Sequence, residues 1–342
     1  MRRTVGLDLR MRIWFPTIAA GSGADVYVRR LSAAIKKRGI DGVITWFPHG
    51  FELCPYLLRN VRPPPGTDII HVNSWHGPAF YRKGIPLVVT CHHVVHSRHY
   101  LPFATALQRL YHRLLVKRWE AYSFEKANRV IAISHFTAAC IAEVFEGRQS
   151  DVIHLWVDTG QFSPAKGIKR RQDEPFRLFF LGNSIRRKGF DLLPHVMSRL
   201  GPQFVLHCTA GRDAIHSKKL PSNMICIGRL STEDVVKELQ GSHALLFPSR
   251  FEGFGYAALE AMACGVPVIA ARSSAISEVV EHERTGILCE VDDVNGFVQA
   301  CRLLAKNEEL RLNLARQARD AAVSRFKEED LVNRYLRLYD SL

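Results

Sequence analysis

The chain has 342 residues, of which 47% are hydrophobic and 23% charged, so it is long enough for two domains and is neither disordered nor fibrous. No stretch approaches the roughly 18 consecutive apolar residues that cross a bilayer, and Asp8, Arg10 and Arg12 interrupt any signal-peptide pattern. The net charge is +14, with its excess in the first half, which we expect to meet a negatively charged partner.

The eight cysteines are scattered along the chain and include no C-x-x-C pair. Most of them occupy apolar segments, where a reduced thiol behaves as a small hydrophobic side chain. This usage predicts a reducing compartment, and we therefore expect a cytoplasmic protein.

The first half alternates short apolar strands with helical patterns, which is typical of a parallel sheet in an α/β domain. Helices are predicted at Asp25–Lys37 and Ala104–Ala127. The predicted strands are Thr4–Leu9, Val43–Phe47, Ile69–Val72, Leu87–Thr90, Arg129–Ile133 and Asp151–His154.

The second half repeats this alternation, so a second α/β domain is predicted. Its predicted strands are Arg177–Leu181, Phe204–Thr209, Met224–Ile227, Ala244–Phe247, Val266–Ala270 and Gly286–Cys289. Its predicted helices are Asp191–Leu200, Thr232–Gln240, Tyr256–Ala263 and Val294–Leu304.

The composition changes between the two halves. Residues 158–175 are rich in Lys, Arg, Gln, Gly and Pro and poor in apolar residues, which predicts a linker between a domain at 1–157 and a domain at 176–325. Residues 326–342 return to a helical pattern, so a separate C-terminal helix is predicted there.

The most informative segment is Pro248–Ala270. Glu252 follows a predicted strand, and the next glycines, Gly253 and Gly255, let the backbone approach a ligand closely. The helix that starts after Gly255 offers unpaired N–H groups and the positive end of its dipole, which suits a phosphate. Glu260 lies about one turn into that helix, and a carboxylate accepts two hydroxyl hydrogens at once from a sugar diol. The segment therefore predicts a nucleotide-sugar site.

Pro248–Ser249, Glu252–Gly255, Glu260–Ala263 and Gly265–Val268 together resemble the donor-site signature of family 4 glycosyltransferases. The similarity covers nearly the whole chain and is strongest from Phe180 onward. The resemblance implies the GT-B fold, in which two Rossmann-like β/α/β domains face each other across a cleft. It also implies that the final helix crosses back to the N-terminal domain.

The resemblance assigns roles in the donor site. Glu252 matches the residue that faces the donor-sugar hydroxyls, and Glu260 matches the residue that binds the ribose diol. Gly253, Phe254 and Gly255 form the loop between them. The family transfers sugars with retention of anomeric configuration, which we expect here too.

A second donor segment follows the strand that ends near Leu181. Basic groups after a strand, with glycines on both sides, can hold a diphosphate where the next helix begins. By resemblance, Lys188 is the diphosphate lysine. Asn183 stands where the family usually has an arginine, which leaves Arg187 or Arg186 to supply that charge. These cations would stabilise the leaving diphosphate.

Three further segments are similar to the family's donor and acceptor contacts. Gly21 and Gly23 match the N-terminal glycine loop that closes over the donor phosphate. His92 follows a predicted strand, at the end where open α/β sheets bind ligands, and matches the histidine that contacts the transferring sugar and the acceptor. Arg229 and Leu230 match the segment that lies against the nucleobase.

We expect neither a metal ion nor a cofactor other than the nucleotide-sugar co-substrate. No Asp-x-Asp motif lies in a suitable loop, and Asp292–Asp293 is interpreted as a helix N-cap pair. The donor is expected to be a UDP- or GDP-hexose, and the sequence does not decide between the two bases.

The helix predicted at Ala104–Ala127 lies in a basic region, Arg98–Arg129, where leucines alternate with seven Lys/Arg. This region is either the solvated face of a domain helix or a docking surface for an anionic membrane leaflet. With the resemblance, it leads us to expect a glycosyltransferase that acts on a glycan or lipid-linked acceptor in lipopolysaccharide or polysaccharide synthesis, at the inner leaflet.

Three alternatives remain at this stage. In the first, the acceptor is a soluble metabolite or sugar phosphate. In the second, the protein binds sugars without catalysis, since Asn183 departs from the family pattern. A basic nucleic-acid-binding protein is the third, although no aromatic and basic recognition module supports it. We therefore expect no nucleic-acid partner.

Overall fold

The computed structural model describes residues 11–165, 174–209 and 220–342. Two compact units divide the chain: Met1–Ile133, Thr137–Ile153 and Glu329–Leu342 form the first, and Ser134–Phe136 and His154–Glu328 form the second. The predicted strand Thr4–Leu9 lies outside the described residues, as do residues 166–173 of the predicted linker.

The first unit contains a parallel sheet with the strand order β2-β1-β3-β4-β5-β6. Its strands are β1 (Arg12–Ile18), β2 (Asp41–Phe47), β3 (Ile69–Asn73), β4 (Leu87–Cys91), β5 (Arg129–Ala132) and β6 (Asp151–Val152). Between residues 11 and 153 the α-helices are α1 (Gly23–Lys36), α2 (Gly77–Phe80), α3 (Ala106–Tyr111), α4 (Lys117–Lys126) and α5 (His135–Val144). β2 to β6 agree with the predicted strands within two residues at each end.

Strand β1 was not predicted from the sequence. The first strand was predicted at Thr4–Leu9 instead. Pro16, which cannot donate to a sheet ladder, lies within β1. The structure accommodates Pro16 because β3 pairs only with Ile13 and Trp14, while β2 pairs along the whole of β1. The proline therefore lies beyond the part of β1 that is paired on both sides.

The long helix predicted at Ala104–Ala127 is interrupted by a π-helical turn at His112–Val116. Thr105 begins α3 with a capping box, in which its side chain and that of Gln108 each accept a backbone N–H of the other residue. Along the α3–α4 segment the residues that point into the unit are His112, Val116, Glu120, Ser123 and Phe124, which are all buried.

The second unit contains another parallel sheet, with the order β12-β11-β10-β7-β8-β9. Its strands are β7 (Phe176–Phe180), β8 (Phe204–Cys208), β9 (Met224–Cys226), β10 (Ala244–Phe247), β11 (Val268–Ala271) and β12 (Gly286–Cys289). Renumbered from β7, this is the order 6-5-4-1-2-3 of dinucleotide-binding Rossmann sheets, in which the strand order reverses between the parallel neighbours β7 and β10. Ligands bind such sheets at the carboxyl ends of the strands that flank this switch point.

Helices cover the second sheet and the C-terminus. They are α6 (Leu193–Leu200), α7 (Thr232–Gly241), α8 (Tyr256–Ala263), α9 (Ile276–Val279), α10 (Val294–Lys306), α11 (Glu308–Arg325) and α12 (Glu328–Asp340). Most of α12 belongs to the first unit. Within the described ranges, no helix combines the length and the apolar character that crossing a membrane would require.

Candidate active site

Two loops meet at the switch point of the second sheet, one after β7 and one after β10. The first loop turns at Gly189, whose φ of +73° lies in the left-handed region that favours glycine. A Cβ at Gly189 would lie 2.1 Å from the carbonyl oxygen of Pro248. Only glycine therefore lets the β7 loop pass this close to the β10 loop.

The meeting of these loops brings Lys188 against Glu252. The Nζ of Lys188 lies 2.5 Å from Oε1 of Glu252, and the Ser249 hydroxyl donates to the same oxygen at 2.7 Å. The backbone N–H of Glu252 donates to the Ser274 hydroxyl at 2.8 Å. Glu252 is only 7% exposed. Two side chains hold its carboxylate at Oε1, and Ser274 fixes its backbone.

Burial and charge act in opposite directions on this pair. Burial raises the pKa of Glu252, but the neighbouring Lys188 and Arg187 and two hydrogen bonds outweigh it and lower that pKa below its usual value. Burial lowers the pKa of Lys188, and the attraction of Glu252 opposes this only in part. The pair therefore combines an ionised carboxylate with a desolvated ammonium group.

Arg250 links the two loops through ion pairs that sequence reasoning missed, and we name these contacts the Arg250 strap. The Arg250 guanidinium binds both carboxylate oxygens of Asp191, at 2.7 and 3.0 Å, and its Nε lies 2.5 Å from Asp292. Asp293 is the N-cap residue of α10, as predicted, but its side chain makes no capping bond. Asp292 binds Arg250 instead. The arginine at position 250 was the signal available for this contact. The sequence alone does not identify its partners, because Asp191 and Asp292 lie far away along the chain.

The other predicted diphosphate residues differ in their placement. The Arg187 guanidinium donates to the carbonyl oxygen of Phe251 at 2.9 Å, so it supports the loop that carries Glu252. Asn183 and Arg186 are exposed on the β7 loop. Of these residues, Lys188 is the one whose charged group contacts Glu252.

Helix α8 begins beside this pair. Gly255 is its N-cap residue, with φ +110° and ψ +56°, a conformation that other residues rarely adopt. Gly253 and the buried Phe254 precede it, and the Gly253 carbonyl accepts a hydrogen bond from the Ser134 hydroxyl at 2.7 Å. Glu260 is half-buried in the second turn of α8. The start of a helix thus lies three residues after Glu252, as an anion seat requires.

Arg229 and Leu230 follow the edge strand β9, and Arg229 is exposed. In the sheet order β7-β8-β9 they lie two strands from the Lys188 loop, a separation of about 10 Å at the usual strand spacing. They share the carboxyl edge of the sheet with Lys188 and Glu252.

The first unit places its predicted residues at the carboxyl ends of β1 and β4. Gly21, with φ +63°, and Gly23 lie in the exposed loop that opens α1. Asp25, a residue that sequence reasoning left without a role, accepts the backbone N–H groups of Ala20 and Gly21 at 3.1 and 2.9 Å. The carboxylate of Asp25 therefore fixes the shape of the glycine loop.

His92 follows β4 and is 9% exposed. Its ring and the Tyr27 ring from α1 form a T-shaped contact, with 4.9 Å between centroids. Burial lowers the pKa of His92 to about 4, so the imidazole is neutral at physiological pH. A neutral imidazole offers one N–H donor and one lone pair.

Among the residues that the structure describes, His135, His154 and Glu278 of the second unit form one group of potential metal ligands, with one donor atom each within 4.8 Å of one another. The carboxylate oxygens of Glu278 already accept the backbone N–H groups of His135 and Phe136, at 2.9 and 2.7 Å, and His154 lies 3.1 Å away. The position of Glu278 is therefore explained by its role as the acceptor for the first backbone N–H groups of α5.

The two parallel sheets define an α/β protein with two Rossmann-like domains, and comparisons with known proteins identify its family. The profile described as Glycosyltransferase Family 4 matches residues 43–161, and the one described as Glycosyl transferases group 1 matches residues 162–321. The uncharacterized glycosyltransferase MJ1178 of Methanocaldococcus jannaschii is 30% identical over 93% of this chain and 86% of that protein. The chain belongs to this glycosyltransferase family, and it is a glycosyltransferase.

Solved structures support the fold. Sucrose-phosphate synthase from Thermosynechococcus elongatus has a TM-score of 0.82 at 20% identity, over 97% of this chain and 99% of that one. The Anabaena protein Alr3699/HepE, in a crystal structure with UDP and glucose, has a TM-score of 0.77 at 17% identity, over 97% and 100% of the two chains. The predicted class, an α/β protein of GT-B type with two Rossmann-like domains, is confirmed.

Proposed function

We propose that this glycosyltransferase moves a hexose from a UDP- or GDP-sugar to a glycan or lipid-linked acceptor in lipopolysaccharide or polysaccharide synthesis. Transfer would retain the anomeric configuration and need no metal ion. The observation that carries the proposal is the buried pair of Lys188 and Glu252 at the switch point, three residues before the N-terminus of α8.

Lys188 would stabilise the leaving group. As the C1–O bond of the donor breaks, negative charge grows on the diphosphate, and a desolvated ammonium group held in a fixed loop interacts with that charge more strongly than one in water. The N–H groups of the first turn of α8 would contribute from the other side. Glu252 balances the charge of Lys188.

Glu252 would orient the sugar. Lys188 and Ser249 both contact Oε1 of Glu252, and we propose that Oε2 accepts the donor-sugar hydroxyls. Glu260 would bind the ribose diol, and Arg229 and Leu230 would lie against the base at the edge of the same sheet. Arg187 would supply long-range positive charge in place of the arginine that Asn183 replaces.

His92 would act from the first unit, together with the loop of Gly21 and Gly23. Because its pKa is lowered to about 4 by burial, the neutral ring can exchange a hydrogen bond with a hydroxyl of the transferring sugar or the acceptor. This assignment rests on the sequence resemblance and on the buried, neutral state of the ring.

The donor class has support from a structural relative, since Alr3699/HepE was crystallised with UDP and glucose. A soluble sugar-phosphate acceptor is the second candidate, because sucrose-phosphate synthase is among the structural relatives that match nearly the whole chain. The basic region Arg98–Arg129 favours the lipid-linked acceptor and a cytoplasmic enzyme at the inner leaflet.

The test begins with a panel of UDP- and GDP-hexoses, since a bound donor raises the apparent melting temperature by mass action. With the donor that stabilises most, Glu252→Gln should lower nucleoside diphosphate release by about 100-fold or more. The matched control is Glu309→Gln, an exposed glutamate of the same unit. Normal turnover in Glu252→Gln would refute the site. Loss of turnover in EDTA would refute metal independence. A product whose anomeric proton signal shows the inverted configuration would refute retention.

A further inference from the structure

Two cysteines of the second unit lie against each other where neighbouring strands end. Cys208 is the last residue of β8 and Cys226 is the last residue of β9, and the two are register partners in the parallel sheet. Their Sγ atoms are 3.1 Å apart, although the residues are 18 positions apart in sequence. Strand pairing therefore creates a dithiol that no C-x-x-C motif announces, and we name these two residues the strand-end dithiol.

The backbone already holds the two cysteines at a distance that suits a disulfide. Neighbouring strands lie about 4.8 Å apart, and disulfide-bonded cysteines have Cα atoms roughly 4.4–6.8 Å apart. The ladder continues past the pair, since the backbone N–H of Ile227 donates to the carbonyl oxygen of Cys208 at 2.9 Å. Both side chains pack on the same core cluster, so they point to one face of the sheet. A bond would shorten the sulfur–sulfur distance from 3.1 Å by about 1 Å.

One sulfur of the strand-end dithiol is open to small reactants and the other is not. Cys208 is fully buried, whereas Cys226 is half-buried and lies on the edge strand β9. A reagent from solvent therefore reaches Cys226 first, and Cys208 is placed to attack the product. A reachable thiol beside a second, resolving thiol is a common arrangement in redox-sensing proteins.

The strand-end dithiol lies between two parts of the proposed donor site. Thr209 directly follows β8, and its hydroxyl oxygen accepts the backbone N–H of Gly182 at 3.0 Å, which holds the start of the loop after β7. On the other strand, Gly228 follows β9 in a left-handed turn with φ +76° and leads to Arg229. Because a disulfide would draw the two strand ends together, it would displace both segments.

We propose that the strand-end dithiol is a reversible oxidation site, which a low-molecular-weight disulfide such as oxidised glutathione closes to a Cys208–Cys226 disulfide, and that closure impairs the donor site. The thiolate of Cys226 attacks one sulfur of the oxidant, breaks the oxidant's S–S bond and releases one thiol. The thiolate of Cys208 then attacks Sγ of Cys226 and releases the second thiol. Two protein thiols are oxidised, one disulfide is reduced, and the two protons pass to the released thiols.

The dithiol is the expected resting state. In the reducing compartment that the cysteine usage predicts, disulfides are usually transient and redox-sensing. A metal ion is a poorer occupant, because within the described ranges no third His, Cys, Asp or Glu joins the two sulfurs in a group that could hold one. The effect on the donor site rests on the proposed function, whereas the disulfide itself does not.

The first experiment detects the bond. The reduced protein is incubated with oxidised glutathione, its remaining thiols are alkylated in denaturant, and its peptides are mapped by mass spectrometry without reductant. Two of the eight cysteines should escape alkylation, and the peptides that contain Cys208 and Cys226 should be joined. Cys208→Ala should stop at a glutathione adduct on Cys226, and Cys226→Ser should form no adduct at position 208.

The control for the bond is Cys264→Ala, which removes another buried cysteine of the second unit and keeps the strand-end dithiol. It should form the disulfide as wild type does. Absence of the joined peptides in both wild type and Cys264→Ala would overturn the inference, because both proteins keep the two sulfurs in contact.

The second experiment compares the donor site in the two redox states. Oxidation of wild type should lower kcat/KM for the donor by about 10- to 100-fold, since a displacement of about 1 Å can cost about 100-fold, and dithiothreitol should restore it. Cys226→Ser should turn over as reduced wild type before and after the oxidant.

Two outcomes separate the parts of this inference from the proposed function. Equal turnover of oxidised and reduced wild type, with the bond formed, would overturn the effect on the donor site, as would an equal loss of turnover in oxidised Cys226→Ser. If the disulfide forms but the reduced protein turns over no donor, the proposed function fails and the oxidation site stands.

Discussion

Lys188 and Glu252 form an ion pair across 64 positions of sequence, with 2.5 Å between Nζ and Oε1. They meet because β7 and β10 are neighbours in the second sheet, where Leu178 pairs with Ala244, so that the loops leaving both strands emerge at one edge. The Arg250 strap to Asp191 then fixes the two loops to each other. The geometry of the pair is therefore set by strand order.

Replacing Lys188 by Met should reduce both turnover and stability. Loss of one preorganised cation at a developing charge costs about 100- to 1,000-fold in kcat. Glu252 would keep its burial without its main partner, and breaking a buried pair destabilises by about 3–5 kcal/mol. Nucleoside diphosphate release and thermal melting measure the two effects, and Lys237→Met, in an exposed position, should change neither.

The double variant Lys188→Met/Glu252→Gln separates the two effects. Removing both charges should recover most of the lost stability, because no uncompensated buried charge remains, while turnover stays low. Recovery of turnover together with stability would show that Lys188 serves the fold and not the donor.

Replacing Gly189 by Ala should destabilise the second unit strongly. The new Cβ would meet the carbonyl oxygen of Pro248 at 2.1 Å, and φ is +73°. Gly39→Ala is the matched control, since its φ is +85° and no atom lies within 4 Å of the added Cβ. The control should therefore show only the left-handed strain of about 1–2 kcal/mol. Equal melting temperatures for the two variants would contradict the close approach of the loops.

The sequence allowed prediction of most of this fold because its signals are local. β10 and β12 were predicted at their observed bounds, Ala244–Phe247 and Gly286–Cys289, since short apolar runs between turn residues define buried strands. β1 was not predicted. It contains Pro16, which is unusual in a central strand, and only the pairing partners show that a proline fits there. The π turn at His112–Val116 has no recognised sequence signal.

The candidate site was predicted only where its residues lie close together in the sequence. Glu252, Gly255 and Lys188 were proposed because the residues of each motif lie within a few positions of one another. The contact between Lys188 and Glu252, and the Arg250 strap, depend on which strands are adjacent. The support of the glycine loop by Asp25 is local, but an acidic residue in a first helical turn is too common to be distinctive.

Replacing Tyr339 by Phe should destabilise the first unit and loosen α12. The Tyr339 hydroxyl lies 2.7 Å from Nδ1 of His71, whose Nε2 lies 2.7 Å from the Thr90 hydroxyl. Burial lowers the pKa of His71 to about 3, so the neutral ring needs one donor and one acceptor partner. Loss of the hydroxyl leaves a buried ring nitrogen unpaired, at a cost of about 1–3 kcal/mol.

The control for this change is Tyr56→Phe, which removes the hydroxyl of a tyrosine that is 49% exposed and should leave stability unchanged. Hydrogen exchange resolves where the effect falls. Faster exchange of α12 amides in Tyr339→Phe would locate the weakened contact, and exchange equal to wild type throughout α12 would contradict the role of this buried bond in holding the helix.

Acid should weaken the second unit through Glu278. Burial raises the pKa of this carboxyl, but the hydrogen bonds from His154 and from the N–H groups of Phe136 and His135 outweigh it, so the folded-state pKa is lowered from 4.5. A group with a lowered folded-state pKa stabilises the fold above its unfolded value and loses that contribution as pH falls through the folded-state value. Stability from Glu278 is therefore fully present at pH 7 and lost progressively below about pH 4.5.

The variant Glu278→Gln tests this linkage, because an amide keeps the shape of the carboxyl without its charge. Its melting temperature should lie below that of wild type at pH 7, and the difference should shrink as pH falls below about 4.5, where the wild-type carboxyl also becomes neutral. Glu309→Gln, at an exposed position in α11, should show no such pH-dependent difference. A difference in melting temperature between Glu278→Gln and wild type that stays constant as the pH falls would contradict the linkage. It would mean that the side chain contributes through its shape, because the ionised carboxylate would then add nothing at the start of α5.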